Sequence, residues 1–157
     1  MQKIILRAIG KASEDWHAEA IRMYLERLKP LASLDLIELP EGHGGSAKPD
    51  LAKTRRIEAE SLMKGVPDGA FVIALDETGK QFDSTTFSKK METWSEGGRA
   101  LVFLIGGSWG LDETVRQKAD AIFSLGSITL PHQLARIVLL EQLYRATMIE
   151  RGTPYHK

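Results

Sequence analysis

Short apolar runs alternate along this chain with longer stretches whose apolar residues recur every three or four positions. The runs predict strands and the longer stretches predict helices. Lys3 to Ile9 reads as a first strand, Leu34 to Leu39 as a second, Ala70 to Leu75 as a third and Leu101 to Ile105 as a fourth. Ala121 to Leu125 and Ser127 to Leu130 add two shorter strand-like pieces. Trp16, Ala20, Tyr24 and Leu28 fall at helical spacing up to Pro30, with Ser13 placed to cap the start. Asp50 is placed to cap a helix over Leu51 to Lys64 that Gly65 closes. Asp83 or Ser84 starts another, with Phe87, Met91 and Trp94 on one face and Gly97 and Gly98 beyond it, and Asp112 caps a short one. Pro131 suits the first turn of the longest helix, which runs to about Arg151. Strands alternating with helices in this way imply an α/β fold, a mostly parallel sheet with helices on both faces. No linker or repeat interrupts the pattern, so residues 1–157 read as a single domain.

The last helix departs from a simple amphipathic stripe. Leu134, Ile137, Val138, Leu139, Leu143 and Met148 occupy more than one side of it. A helix apolar on several sides is buried on several sides, so one side can cover the sheet and another a second subunit.

Composition narrows the class of protein. With 43% hydrophobic and 27% charged residues the chain reads as globular, and no apolar run approaches the ~20 residues of a membrane-spanning helix. MQKIILRAIG has too short an apolar core for a secretory signal and reads better as the first strand. The absence of cysteine removes disulfides, thiolate catalysis and cysteine-ligated zinc, and makes a cytoplasmic location the default. The 21 basic and 21 acidic residues cancel, so a nucleic-acid partner has to be argued from local features. His17, His43, His132 and His156 show no ligand spacing, so no metal site is expected.

Candidate chemistry collects in the last third. Gly106, Gly107 and Gly110 follow the fourth strand, where a backbone without Cβ atoms can bend sharply and approach a ligand, and Gly126 lies at a second strand end within about 25 residues of it. Such a pair of turns can wrap one small flat molecule. Gly106, Ser108 and Gly110 also fit a Gly-x-Ser-x-Gly nucleophile elbow, with His43, Gly44 and Gly45 as an oxyanion-loop sequence and Asp120 and His132 in triad order. Only 49 residues follow Ser108, however, and the last helix takes nearly half of them, which leaves little room for a hydrolase fold.

LIGGSWGL, SITLPHQLARIVLLEQLYRA, the terminal PYHK and the segment LDETGK together resemble the ribosomal large-subunit methyltransferase H family of SPOUT methyltransferases. The resemblance spans essentially the whole chain and is loosest over Glu41 to Asp50. It implies a deep trefoil knot made by the C-terminal stretch, a homodimer, S-adenosyl-L-methionine as cofactor, and methylation of N3 of a pseudouridine in 23S rRNA on the assembled ribosome. Carried over by motif, the cofactor contacts are Leu75, Gly106, Leu125, Gly126, Ser127, Ile128, Thr129 and Leu130. The match at the terminus makes His156 a candidate base for the N3 proton, since an imidazole titrates near neutrality, and Tyr155 a group that stacks on or hydrogen-bonds a base. Arg136 can bind the cofactor carboxylate or an RNA phosphate, or pair with Glu141 on its own helix. His132 shapes the cofactor loop or bonds the helix start. A non-catalytic ribosome-binding module of the same fold is the other reading, told apart by a lack of affinity for S-adenosylmethionine.

Overall fold

The computed structural model describes all 157 residues. Strands β1 (Lys3–Ile9), β2 (Ser33–Leu39), β3 (Phe71–Lys80), β4 (Leu101–Ile105) and β5 (Ala121–Phe123) form one parallel sheet in the order β2-β1-β4-β3-β5. β4 at the centre is buried along its whole length and pairs Leu101 with both Ile4 and Phe71. Helices α1 (Asp15–Leu28), α3 (Ser84–Trp94) and α5 (His132–Glu150) cover one face, through a core that includes Leu6, Phe87, Phe103 and Leu139. α2 (Leu51–Met63) and α4 (Glu113–Lys118) cover the other, through Leu62, Leu104 and Val115. Parallel strands buried on both faces explain the near-continuous apolar runs that announce them in the sequence.

Local chemistry sets most boundaries. Asp50, Asp83 and Asp112 each accept a bond from a first-turn N–H, at 3.1, 2.7 and 3.0 Å, and so start α2, α3 and α4. Gly65 follows α2 at φ +85°, where a side chain would be strained. Ser13 does not cap α1, whose start is Glu14 with no side-chain cap bond. Trp16 is 54% exposed rather than part of the buried stripe, which runs through His17, Ile21 and Leu28.

Two differences from the expected elements shape the site. β3 continues past Leu75, but Leu75 and Lys80 both pair with Phe123 of β5, so residues 76–79 bulge out of the ladder. Gly79 permits this, since a Cβ there would stand 2.6 Å from the Ile122 carbonyl. Ser127 to Leu130 is not a strand: β5 ends at Phe123, the Ser124 hydroxyl bonds the Gly126 carbonyl at 2.8 Å, and the chain runs on as an irregular loop to α5. A side chain that offers the backbone a local partner competes with the ladder.

Candidate functional site

The C-terminal ends of β3, β4 and β5 open onto one cleft of about 890 Å³, the edge at which parallel sheets bind ligands. Its walls are the β3 bulge, the glycine loop 106–111 after β4, the loop 125–131 after β5 and the first turn of α5. Leu75, Gly106, Leu125, Gly126, Ile128, Thr129 and Leu130 all line it, whereas Ser127 lies in the same loop outside the lining. Thr129 Oγ1 donates to Glu77 Oε2 at 2.8 Å, joining the loop before α5 to the bulge. A Cβ on Gly126 would meet no protein atom within 4 Å, but at φ +151° a side chain there is strained. Gly106 has a different reason to be glycine. Its Cβ would lie 2.9 Å from the Gly110 carbonyl oxygen and 3.0 Å from Leu111 Cδ2, so it is closure of the loop on itself that excludes a side chain.

The remaining candidates lie away from the cleft. After α5, Gly152 turns at φ +64° and the tail folds back along the helix. The Tyr155 hydroxyl donates to Glu141 Oε1 at 3.2 Å, its ring meets the edge of Tyr144 at 4.8 Å, and the Arg145 guanidinium lies over it at 4.8 Å. Arg145 Nη1 approaches His156 Nδ1 at 3.2 Å, while its Nη2 donates to Glu141 Oε1 at 2.8 Å. Ala135 lines the cleft, and the rise of a helix puts Arg145 about 15 Å farther along α5. The tail therefore docks well away from its own cleft. Arg136 is fully buried and outside the lining: Nη1 donates to Glu38 at 2.7 Å and Nη2 to the carbonyl of Gly10 at 2.8 Å. It pairs neither with Glu141, whose partner is Arg145, nor with any group in the cleft. Its place is structural, tying α5 to the end of β1.

Over residues 2–156 the chain matches the family model described as "Predicted SPOUT methyltransferase". It is 42% identical over 159 residues to a ribosomal RNA large subunit methyltransferase H of Streptococcus suis (strain 05ZYH33), with 99% of each chain covered. A protein of the same name from Thioalkalivibrio sulfidiphilus is 37% identical over 155 residues, again with 99% of each covered. The chain belongs to the SPOUT methyltransferases, in the ribosomal RNA large subunit methyltransferase H family. Another member, from Gluconacetobacter diazotrophicus, is 42% identical over 152 residues, covering 97% of this chain and 95% of its own.

In this methyltransferase the cleft also holds groups that sequence reasoning passed over. Asp76 and Glu77 stand inside LDETGK, but nothing in that segment announces the bulge that brings them to the cleft. Trp109 lines the rim at 44% exposure, and its carbonyl accepts from Arg55 of α2 at 3.3 Å. Burial pushes the His132 imidazole down, and the nearby Arg136 charge pushes it the same way, so it favours the neutral form. Beneath the glycine loop, Glu58 is buried, accepts from the Gly42 N–H at 3.1 Å and leaves Oε2 unpartnered. Burial raises its pKa, opposed by the bond from the Gly42 N–H. One carboxylate of α2 thus holds the loop 41–45 and lies against the cleft loop, where a Cβ on Gly107 would stand 3.1 Å from its Oε1.

The hydrolase constellation does not assemble. Ser108 and His132 both line the cleft, but the hydrogen-bond partner of His132 is Gln133 at 3.5 Å. Asp120 accepts from the Val72 N–H at 2.8 Å and precedes β5, at the opposite edge of the sheet from the cleft. His43 bonds Glu41 instead of preparing an oxyanion loop.

Proposed function

We propose that the chain is an S-adenosyl-L-methionine-dependent methyltransferase of N3 of a pseudouridine in 23S rRNA, acting in the cytoplasm on the assembled ribosome as a homodimer. The supporting observation is the convergence in one cleft of the residues that the family motif assigns to the cofactor. Their chemistry suits that molecule. Leu75, Leu125, Ile128 and Leu130 offer apolar cover for a flat base, the backbone of the glycine loops offers hydrogen bonds, and Asp76 and Glu77 offer negative charge to a cationic ligand. The family's trefoil knot belongs to the same reading. The cofactor supplies a methyl group already activated on a sulfonium.

The chain's own residues then have to hold the nucleotide in line and remove the N3 proton. In the docked tail, His156 Nδ1 faces the Arg145 donor, which assigns its proton to Nε2 in the neutral ring. Releasing that contact frees Nδ1 to accept a proton. Because the tail docks far along α5 from its own cleft, Tyr155 and His156 serve the partner's cleft in this reading. Arg136 acts as a positioning residue, through α5 and Gly10.

The test is a chain lacking Tyr155 to Lys157, assayed for single-turnover methyl transfer to ribosomes from a strain without the enzyme. Transfer should fall on the order of a hundredfold, the range for a lost acid–base group, while calorimetric affinity for the cofactor changes much less. Near-normal transfer would remove the tail from the chemistry, and unlabelled ribosomes with the intact enzyme would remove the substrate assignment.

A further inference from the structure

The cleft is charged with one sign. Its titratable lining side chains are Asp76, Glu77 and His132, and no lysine or arginine lines it. The three are not equivalent. Asp76 is compensated, with Arg116 at 3.3 Å and the Thr78 hydroxyl at 2.5 Å. His132 favours the neutral ring for the reasons given above. Glu77 enters none of the molecule's six ion pairs, and only the neutral hydroxyl of Thr129, across the cleft, holds it. The β3 bulge therefore delivers one uncompensated carboxylate to the wall of the cleft.

We propose, resting on the S-adenosylmethionine reading, that Glu77 is the counter-charge for the sulfonium centre and sets the preference of the cleft for the methyl donor over its demethylated product. The two ligands share an ammonium, a carboxylate, a ribose and an adenine. They differ in the methyl group and in the single positive charge on sulfur, which the product S-adenosylhomocysteine lacks. A carboxylate without a cation of its own attracts that charge and gains nothing from a neutral thioether. Being exposed to solvent, it contributes in the range of one screened ion pair, roughly two- to fivefold in affinity. The consequence is easier product release. An interaction with the donor's ground-state charge does not accelerate the chemical step, because the charge is being lost as the transition state forms. Glu77 thus acts on the exchange of donor for product and leaves the methyl transfer itself to other groups.

The experiment is calorimetric titration of the full-length chain and of Glu77→Gln with S-adenosylmethionine and, separately, with S-adenosylhomocysteine. Glutamine keeps the size of the side chain and an oxygen that accepts from Thr129, so charge is the main change, and a thermal melt checks that the fold is intact. Donor affinity should fall roughly two- to fivefold in the variant while product affinity stays nearly unchanged, so that the donor-to-product ratio drops. High salt should move the wild-type ratio towards that of the variant. An unchanged ratio, whether both affinities fall together or neither does, overturns the role of Glu77 and leaves the cofactor reading standing. Failure of the wild-type chain to bind either ligand overturns the cofactor reading, and this inference with it.

Discussion

Burial alone would push the Asp76 carboxyl up, yet bonds from the Thr78 hydroxyl and N–H and from Arg116 outweigh it and hold the group below its ordinary range. A carboxylate with a depressed folded pKa contributes stability that is fully present above its unfolded value of about 3.9 and is lost as pH falls through the folded value. Asp76→Asn should therefore cost roughly 1.5–2 kcal/mol at neutral pH, the lower part of the range for hydrogen bonds to a charged group because the carboxylate is only half-buried. The gap to wild type should close as the pH drops below about 4. Thermal melts over a pH series measure it, and a gap that does not change with pH would mean that Asp76 acts through packing instead of charge.

Arg7 does for a whole helix what Asp76 does for a bulge. It lies on β1, is 7% exposed, and donates to the carbonyls of Leu62 at 2.8 Å and Ser61 at 2.9 Å and to that of Lys64, the last turn of α2. A cation at a helix C-terminus satisfies orphan carbonyls and opposes the negative end of the dipole. Arg7→Met keeps the apolar stem and leaves those carbonyls buried without donors, so urea unfolding should show a loss of about 2–4 kcal/mol. Little of this was legible in the sequence, where Arg7 is one charge in an apolar run. Elements specified by local chemistry were legible: the Asp50, Asp83 and Asp112 caps, and the apolar period of β1 and β4. Trp16 misled because a stripe of large apolar residues one position from His17 fits helical spacing equally well, and only packing against the sheet chooses between them. In the site, residues at strand ends were readable from motif and glycine. Asp76 and Glu77 were not, because a bulge depends on how β3 and β5 align, and Arg136 was not, because its partner Glu38 lies across the fold.

At the scale of the molecule, the partly exposed side of α5 carries Leu134, Val138 and Met148 along its length, and the tail docks near its far end. Covering such a face favours a second copy, and light scattering should report about twice the 17.4 kDa chain mass at micromolar concentration. If tails serve partner clefts, mixing a tail-deleted chain with a cleft-blocked Gly126→Trp chain should restore roughly a quarter of the activity, because about half of random dimers then contain one intact site of two. No recovery from this mixture would place tail and cleft in the same chain. The ladder that joins Ile4 to Leu101 bears on how such a chain comes into being. The central seam of the sheet closes only when the first strand meets one made roughly a hundred residues later, and parallel pairing across that separation must overcome loop entropy before any contact rewards it. During synthesis β1 and β2 wait with the apolar side of β1 open until β4 has left the ribosome, and α5 seals one face last of all. A chain halted before β4 is therefore a sticky fragment in need of a chaperone, with no stable half-sheet to fall back on.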